Sequence, residues 1–157
     1  MAKEYRRAIT YGTFDLFHYG HLQLLRRISD LADELIVGVA TDEFNTLKGK
    51  RSMITFEQRA EIVASLRMVH TVIPESNWEQ KRDDIESHGV DLFVMGNDWN
   101  GKFDDLGDLC DVVYLPRTSD ISSSEIRDAV HAFSPGEMER LQQSLKAISE
   151  VIRAFDE

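Results

Sequence analysis

The strongest constraint on the fold is a regular alternation between short apolar, β-branched runs and longer segments with helical periodicity. Five runs are predicted strands: AITYG, ELIVGVAT, HTVIPE, DLFVMG and DVVYLP, at 8–12, 34–41, 70–75, 91–96 and 111–116. Helices are predicted at 20–32, 55–67, 77–88 and 122–132, the first three of them between strands. Thr55 and Gln58 predict a capping box at the start of the second helix, and Ser122 to Ser124 supply N-cap hydroxyls for the last. This order is typical of an α/β protein with an open parallel sheet.

The predicted strands also indicate where a ligand would bind. ELIVGVA and DLFVMG are apolar on both faces, as expected when helices cover both sides of the sheet. Ligands of such sheets bind beyond the carboxyl ends of the strands. The segments that follow the strands are GTFD, TDEFN, MGND and LPRTSD, so we expect the functional residues there.

Two histidines stand at the start of the first predicted helix, in GTFDLFHYGHLQLL at residues 12–25. Gly12 permits close approach of a ligand to the backbone, Thr13 offers a hydroxyl group, and the free amides of a helix N-terminus favour an anion. His18 and His21 could donate hydrogen bonds to phosphate oxygens there. A structural role for the pair is the alternative. A zinc site lacks a third ligand, because Cys110 is alone and HExxH is absent.

Basic residues cluster at two other predicted strand ends. LKGKR at 47–51 follows the second strand, with Arg59 in the next helix, and PRT at 116–118 follows the fifth. The motifs GxxxxGK[ST] and GxGxxG are absent, which argues against a P-loop or a dinucleotide fingerprint. Cations at strand ends suit a polyphosphate, while a solvated basic loop is the alternative for LKGKR.

The composition limits the classes of partner. With 28 acidic and 18 basic residues, the formal net charge of -10 disfavours unaided binding to nucleic acid or to an anionic membrane. The single Cys110 excludes an internal disulfide, and the N-terminal segment lacks the apolar run of a signal peptide or a membrane span. We expect a soluble cytoplasmic protein whose 157 residues form one main core.

A heptad-like stripe follows the predicted α/β region. After a strong helix start at Ser134, Pro135 and Glu137, apolar residues recur at spacings of three and four, at Met138, Leu141, Leu145, Ile148, Ile152 and Phe155. We expect a main domain at 1–133 and an amphipathic helix at 134–157 that is not a separate domain. This helix either packs on its own domain or serves self-association.

Motifs at several separated positions resemble one enzyme family. HYGH at 18–21 resembles the HxGH motif of the nucleotidyltransferases, and RTSDISSSEIR at 117–127 is similar to the RTxGIS[ST]T signature of the cytidylyltransferases. With TDEFN, VIPESNWEQK, FVMGNDWNGKFDDL and VVYLPRT, residues 7–130 resemble the bacterial glycerol-3-phosphate cytidylyltransferase family. The resemblance implies a Rossmann-like fold, a homodimer, and the reaction of CTP with sn-glycerol 3-phosphate to CDP-glycerol and pyrophosphate, which would feed teichoic-acid or capsule-type polymers.

The resemblance also implies roles for individual residues. The catalytic residues would be His18, His21, Lys48 and Arg117. The nucleotide-binding residues would be Gly12, Thr13, Phe14, Asp15, Lys50, Asp98, Thr118, Ile121, Ser122 and Ser123. The acceptor-binding residues would be Arg59, Arg67, Trp78 and Lys81. Mg²⁺ is expected, bound mainly through the substrate phosphates, and no metal ligand is assigned to the protein.

The sequence departs from the family pattern at several positions, of which Ser123 and Ser124 replace threonines and keep the hydroxyl groups. Asp120 replaces the glycine of the signature and adds a negative charge to a loop where a positive φ would strain it. His70 and Asn97 replace acidic residues, which we expect to affect the acceptor pocket or the dimer contact. Two other hypotheses stay open: a nucleotidyltransferase for another acceptor (phosphocholine, phosphoethanolamine or another polyol phosphate) or for ATP, and a nucleotide-binding module without turnover that signals through its C-terminal helix.

Overall fold

The computed structural model describes residues 2–119, 121–132 and 135–155, with the backbone alone from residue 148 onward. The chain forms two compact units, the first ending at Ile121 and the second beginning at Ser122. The first unit holds the sheet and the second holds the last two helices. The predicted division after residue 133 stays a prediction.

The described residues form five strands, which follow the predicted order, and six α-helices. The strands are β1 (Tyr5–Gly12), β2 (Ala32–Ala40), β3 (Thr71–Glu75), β4 (Leu92–Gly96) and β5 (Asp111–Leu115). The helices are α1 (Tyr19–Leu31), α2 (Asp42–Leu47), α3 (Phe56–Ala64), α4 (Gln80–His88), α5 (Ser123–His131) and α6 (Pro135–Phe155). Two 3-10 helices, Asn97–Trp99 and Asp104–Asp108, lie between β4 and β5. Helix α2 and both 3-10 helices were not predicted, because segments this short show no helical periodicity.

The sheet is parallel throughout, and its strand order is β3-β2-β1-β4-β5. The chain runs outward from β1 through β2 to β3 and then continues on the other side of β1. The direction of winding therefore changes between β1 and β4, which pair through Ala8–Leu92 and Ile9–Phe93. Ligands of open parallel sheets bind at the carboxyl end of such a switch point. The topology confirms the predicted Rossmann-like sheet and indicates the region of the site.

Helices cover both faces of the sheet, and each face has its own core. Adjacent strand residues such as Ala8 and Ile9 belong to different cores because successive side chains of a strand point to opposite faces. Helices α1 and α3 contribute to the first core, which includes Ala8, Leu25, Ile28, Leu35, Val63 and Val94. Helix α4 and the second 3-10 helix contribute to the other, which includes Ile9, Ile36, Ile85, Phe93 and Leu106. Burial on both faces explains why the strands are apolar throughout.

The start of α3 differs from its prediction in one respect. Thr55 is the N-cap residue as expected, but its side chain makes no capping hydrogen bond, so the predicted capping box with Gln58 is wrong. The Asp42 carboxylate, from the first turn of α2, accepts a hydrogen bond from the Phe56 amide at 3.0 Å instead. A carboxylate distant in sequence therefore replaces the local cap.

The second unit consists of α5 and α6. Ser122 is the N-cap of α5 and accepts from the Glu125 amide at 3.1 Å, as the sequence predicts. Helix α6 begins at Pro135, and Met138 and Leu141 on it are exposed. Ser134 and the side chains of Ile148, Ile152 and Phe155 lie outside the described residues. Among the described residues, no helix has the length and apolarity needed to cross a bilayer.

Candidate active site

His18 and His21 bracket the first turn of α1, beyond the end of β1. His18 is the N-cap residue, and its Nδ1 accepts from the Gly20 amide at 3.0 Å. His21 Nδ1 accepts from the His18 amide at 3.3 Å. The pair forms a capping box built from two imidazoles instead of the usual hydroxyl and carboxylate. The two rings are stacked with their centroids 3.8 Å apart.

These hydrogen bonds determine which ring nitrogen carries the proton. A nitrogen that accepts from an amide carries no proton, so in the neutral form of each ring the proton lies on Nε2. Burial, and secondarily the charge of His18, lowers the pKa of His21 to about 3. At neutral pH His21 is therefore an uncharged Nε2–H donor that is oriented before any ligand binds.

Gly20 leaves room for this arrangement. A Cβ at residue 20 would lie 2.8 Å from Cε1 and 3.0 Å from Nδ1 of His18, closer than real Cβ atoms come. It would also lie 3.3 Å from the Ile121 side chain, so this predicted nucleotide-binding residue lies beside Gly20. The glycine of HYGH is therefore required by the position of the His18 ring, a reason that the sequence did not reveal.

The turn between β1 and α1 is tightly packed under His21. Phe14 and Leu16 have positive φ angles of 54° and 49°, a conformation that costs energy for residues other than glycine. The buried Phe14 ring meets the His21 ring edge-on at 5.3 Å between centroids. A Cβ at Gly12 would lie 2.9 Å from the same Phe14 ring. Gly12 therefore leaves room for the Phe14 ring, which packs against the His21 ring.

Asp15 is committed to the protein itself. Its side chain is buried, and its carboxylate accepts from the Met53 amide at 2.8 Å and from the Ile54 amide at 3.0 Å. These bonds attach the loop before α3 to the β1–α1 turn. Asp15, predicted to bind the nucleotide, therefore has a supporting contact in the structure.

A closed ring of polar contacts joins four segments around the turn. Thr13 Oγ1 donates to Asn45 Oδ1 at 3.0 Å, and Asn45 Nδ2 donates to Ser52 Oγ at 3.2 Å. Ser52 Oγ donates to Asp42 Oδ1 at 3.3 Å, and Arg59 Nη2 donates to the same oxygen at 2.7 Å. Arg59 Nη1 completes the ring by donating to the Thr13 carbonyl oxygen at 2.6 Å. The ring connects the end of β1, α2, the loop before α3, and α3 itself.

Arg59 does not have the predicted role of an acceptor ligand. Its side chain is 0% exposed, and its Nε donates to the Ile54 carbonyl oxygen at 2.9 Å, so all three guanidinium nitrogens have protein partners. A buried guanidinium with three protein partners offers no free face to a substrate. The Thr13 hydroxyl likewise donates its hydrogen bond to Asn45. The sequence analysis assigned no role to Asn45 and Asp42, although TDEFN follows β2 as a polar strand end.

An open cleft of about 420 Å³ lies beyond β2 and β3. It is lined by Phe44, Leu47, Lys48, Lys50, Ser76, Asn77, Trp78, Glu79 and Trp99. The Trp78 ring lies 5.2 Å from the Phe44 ring and 5.6 Å from the Trp99 ring, measured between centroids. Lys48 Nζ lies 4.3 Å from the Phe44 centroid, and burial lowers the pKa of Lys48. The cleft unites the predicted Lys48, Lys50 and Trp78 and adds Trp99, which the sequence analysis missed.

Arg117, a predicted catalytic residue, and Asp98, a predicted nucleotide-binding residue, form an ion pair across distant segments. Arg117 Nη1 lies 3.4 Å from Asp98 Oδ2, and both side chains are more than half exposed, at 58% and 59%. Asp98 belongs to the 3-10 helix that begins at Asn97, directly after β4, while Arg117 and Thr118 follow β5. An exposed pair of this kind contributes little to stability, so either partner can exchange it for a ligand.

Comparison with known proteins identifies the family. The sequence model of the cytidylyltransferase-like family matches residues 9–129. The chain belongs to that family. It is 55% identical over 122 residues to glycerol-3-phosphate cytidylyltransferase of Bacillus spizizenii, covering 78% of this chain and 95% of the relative. To the same enzyme of Bacillus subtilis it is 53% identical over 125 residues, covering 80% and 97%.

A solved structure shares the fold of this cytidylyltransferase-like chain. The crystal structure of the lipopolysaccharide core biosynthesis protein from Thermoplasma volcanium matches it with a TM-score of 0.64. The two chains are 24% identical, and the match covers 73% of this chain and 98% of the other. At this identity the likeness supports the α/β architecture alone.

The other residues predicted for this cytidylyltransferase-like chain lie elsewhere. Arg67 is exposed in the turn between α3 and β3. Ser122 and Ser123 begin α5 in the second unit, and Asp120 lies outside the described residues. The His70 ring accepts from the Leu35 amide at 3.1 Å, so this departure from the family pattern supports the pairing of β3 with β2.

Proposed function

We propose that this chain transfers the cytidylyl group of CTP to sn-glycerol 3-phosphate, giving CDP-glycerol and pyrophosphate. The observation that carries the proposal is the imidazole pair with two preset Nε2–H donors at the N-terminus of α1. This pair lies in a chain that is 52–55% identical to glycerol-3-phosphate cytidylyltransferases over nearly their whole length. The imidazoles account for the chemistry, and the relatives indicate the two substrates.

The reaction needs positioning and charge stabilisation more than proton transfer. A phosphate oxygen of the acceptor attacks the α-phosphorus of CTP in line, and the bond to the β-phosphate breaks as pyrophosphate leaves with the electron pair. The acceptor phosphate is already ionised at neutral pH, so no general base is required. Catalysis then depends on donors placed where negative charge develops.

His18 and His21 are the proposed donors to the α- and β-phosphate oxygens. Both present Nε2–H, because both Nδ1 atoms accept from the backbone. The low pKa of His21 keeps this ring neutral, so it stabilises charge by hydrogen bonding and does not deliver a proton. The positive end of the α1 dipole adds to the same potential.

Basic residues would hold the rest of the triphosphate. Lys48 is proposed at the α-phosphate, with the exposed Lys50 beside it in the same cleft. Arg117 is proposed at the β- and γ-phosphates, next to Thr118, and would leave Asp98 to bind them. Such an exchange frees the Asp98 carboxylate for the base or the acceptor.

The acceptor is proposed to bind near Trp78, whose exposed ring forms part of the cleft wall. Lys81 and Arg67 are its proposed phosphate ligands. Arg59 is not, because its guanidinium is buried and fully used within the protein.

Mg²⁺ is proposed to bind through the phosphates of CTP. No group of three His, Cys, Asp or Glu side chains comes together among the residues that the structure describes. The buried Asp15 carboxylate already accepts two amide hydrogen bonds. This donor set fits an ion whose ligands are mainly phosphate oxygens and water, and the ion would neutralise charge on the leaving pyrophosphate.

The cellular setting forms part of the proposal. We expect a cytoplasmic homodimer, and a glycerol-phosphate transfer reaction that releases CMP would consume CDP-glycerol in building a teichoic-acid or capsule-type polymer. Sedimentation of the purified chain would test the dimer independently of activity.

The deciding experiment is pyrophosphate release with Mg²⁺ and CTP across glycerol 3-phosphate, phosphocholine and phosphoethanolamine, with ATP replacing CTP as a control. Release with CTP and glycerol 3-phosphate supports the proposal. Release only with another acceptor or with ATP would keep the chemistry and overturn the substrate. Thermal stabilisation by CTP without turnover on any acceptor would favour a binding module.

A further inference from the structure

Glu75 and Lys81 form a buried ion pair beside the cleft. Glu75 is the last residue of β3, and Lys81 lies in the first turn of α4. Lys81 Nζ lies 2.8 Å from Glu75 Oε1, and the two side chains are only 2% and 4% exposed. The Glu75 carbonyl oxygen also accepts from the Thr41 amide at 3.0 Å, which fixes the backbone of Glu75 at the end of the sheet.

Aromatic rings surround the Lys81 ammonium. Its Nζ lies 4.6 Å from the Tyr11 centroid, 4.9 Å from the Trp78 centroid and 5.5 Å from the Phe103 centroid. Ring faces attract a cation, but they hold it less directionally than a carboxylate does. The direction of the ammonium is therefore set mainly by its short bond to Glu75.

A buried ion pair such as Glu75–Lys81 is expected to add little to the free energy of unfolding. Removing two charges from water costs several kcal/mol per ion, and well-packed apolar residues often replace a buried pair without loss. The site is surrounded by apolar rings that would accommodate such a replacement. The presence of two charges therefore calls for a role besides packing.

Trp78 connects this pair to the cleft. Lys81 Nζ lies 4.9 Å from the Trp78 centroid and Lys48 Nζ lies 5.5 Å from it, so one indole contacts both ammonium groups. Glu75 is also the carboxylate that raises the pKa of Lys48, while Lys50 and Lys81 lower it. One buried carboxylate thus acts on both lysines that the proposed reaction places near phosphates.

We propose that Glu75 is a positioning residue for the acceptor. It fixes the ammonium of Lys81 against the Trp78 ring that lines the cleft, so that the acceptor phosphate binds near a cation already in place. It also offsets part of the positive charge that Lys48, Lys50 and Lys81 concentrate there, which opposes the lowering of the Lys48 pKa by burial. This inference rests on the proposed transfer to glycerol 3-phosphate, and it adds Glu75, which touches neither substrate, to the residues that determine acceptor affinity.

The test compares steady-state kinetics of the full-length wild type with those of Glu75→Gln and Glu75→Asp. Each variant should raise KM for glycerol 3-phosphate about tenfold, the value of one hydrogen bond to a charged group, with a smaller change in KM for CTP. Glu75→Asp keeps the charge but draws the ammonium back by one methylene, so it tests position even if Glu75→Gln folds poorly. In a Lys81→Met background, Glu75→Gln should cause no further rise, because Glu75 acts through Lys81.

Glu34→Gln is the matched control, since it removes the carboxylate of the Arg7–Glu34 pair between β1 and β2. Its KM values should equal those of the wild type. Equal changes of KM for both substrates in the Glu75 variants, or additive effects with Lys81→Met, would overturn the positioning role. A wild type that releases no pyrophosphate would overturn the proposed function instead, so the two failures are distinguishable.

Discussion

Replacing Gly20 by alanine separates the catalytic arrangement of His18 from the stability of α1. Gly20 lies in the first helical turn, and its φ is not positive, so the backbone itself accepts alanine. The added Cβ, however, would lie 2.8 Å and 3.0 Å from two atoms of the His18 ring. The ring must therefore rotate away, which breaks the bond from the Gly20 amide to Nδ1 and redirects Nε2.

The expected changes in stability nearly cancel. Alanine is favoured over glycine in a helix by roughly 1 kcal/mol, and losing an N-cap costs roughly 0.5–2 kcal/mol. The free energy of unfolding should then change by about 1 kcal/mol or less. Turnover should fall about 100-fold, because one preset donor to the developing charge is lost.

The measurement is kcat for pyrophosphate release together with chemical denaturation of the same preparations. Gly107→Ala is the control, because nothing lies within 4 Å of a Cβ at residue 107. If Gly20→Ala turned over CTP as fast as Gly107→Ala, the inference that the His18 ring must keep its capped position would be refuted.

Three further predictions follow from the same contacts. In His21→Gln, the free energy of unfolding measured with denaturant should fall less steeply between pH 7 and 5 than in the wild type. The native wild type holds His21 neutral, with a pKa of about 3, while in the unfolded chain the same histidine binds a proton near pH 6.5. The protonation of His21 should therefore cost the wild type up to about 1.4 kcal/mol of stability per pH unit below 6.5, a cost that the variant lacks. Equal slopes would argue against a buried neutral His21. Asn45→Ala opens the polar ring and leaves the Thr13 hydroxyl without its acceptor. The free energy of unfolding, measured by thermal denaturation, should fall by about 1–3 kcal/mol, and kcat should also fall. Thr46→Ala, at the exposed neighbouring residue, should lower the free energy of unfolding and kcat less. A chain ending at residue 132 should release pyrophosphate at the full-length rate, because the family match ends at residue 129. If light scattering gives the same number of copies per particle as for the full-length chain, α6 does not hold copies together. A loss of activity would instead assign α6 to the site.

Local pattern was sufficient to predict the architecture. The alternation of β-branched runs with helical periods gave five strands and four of the six helices close to their observed positions, and the stripe after residue 134 gave α6. These signals are local, because the spacing of apolar residues within a short segment already reflects burial on both faces of a strand or on one face of a helix. HYGH also lies where the pattern placed it, at the start of α1 and beyond β1.

The site was only partly predictable because its geometry depends on contacts between distant segments. Lys48, Lys50 and Trp78 were foreseen and do share one cleft, but Trp99 joins them from a 3-10 helix that has no periodicity to detect. Arginine is a residue type that commonly binds phosphate, and nothing in the sequence adjacent to Arg59 indicates that its side chain is buried.

By itself, the sequence determined the sheet, the strand ends that carry polar residues, and the presence of two histidines at a helix N-terminus. The tertiary structure decided how those residues are used. It placed the guanidinium of Arg59 against Thr13 and Asp42, gave both imidazoles an Nδ1 acceptor role, and enclosed Lys81 with Glu75. The physical reason is that desolvation and hydrogen-bond partners set the charge and direction of a side chain, and both arise only when segments far apart in sequence pack together.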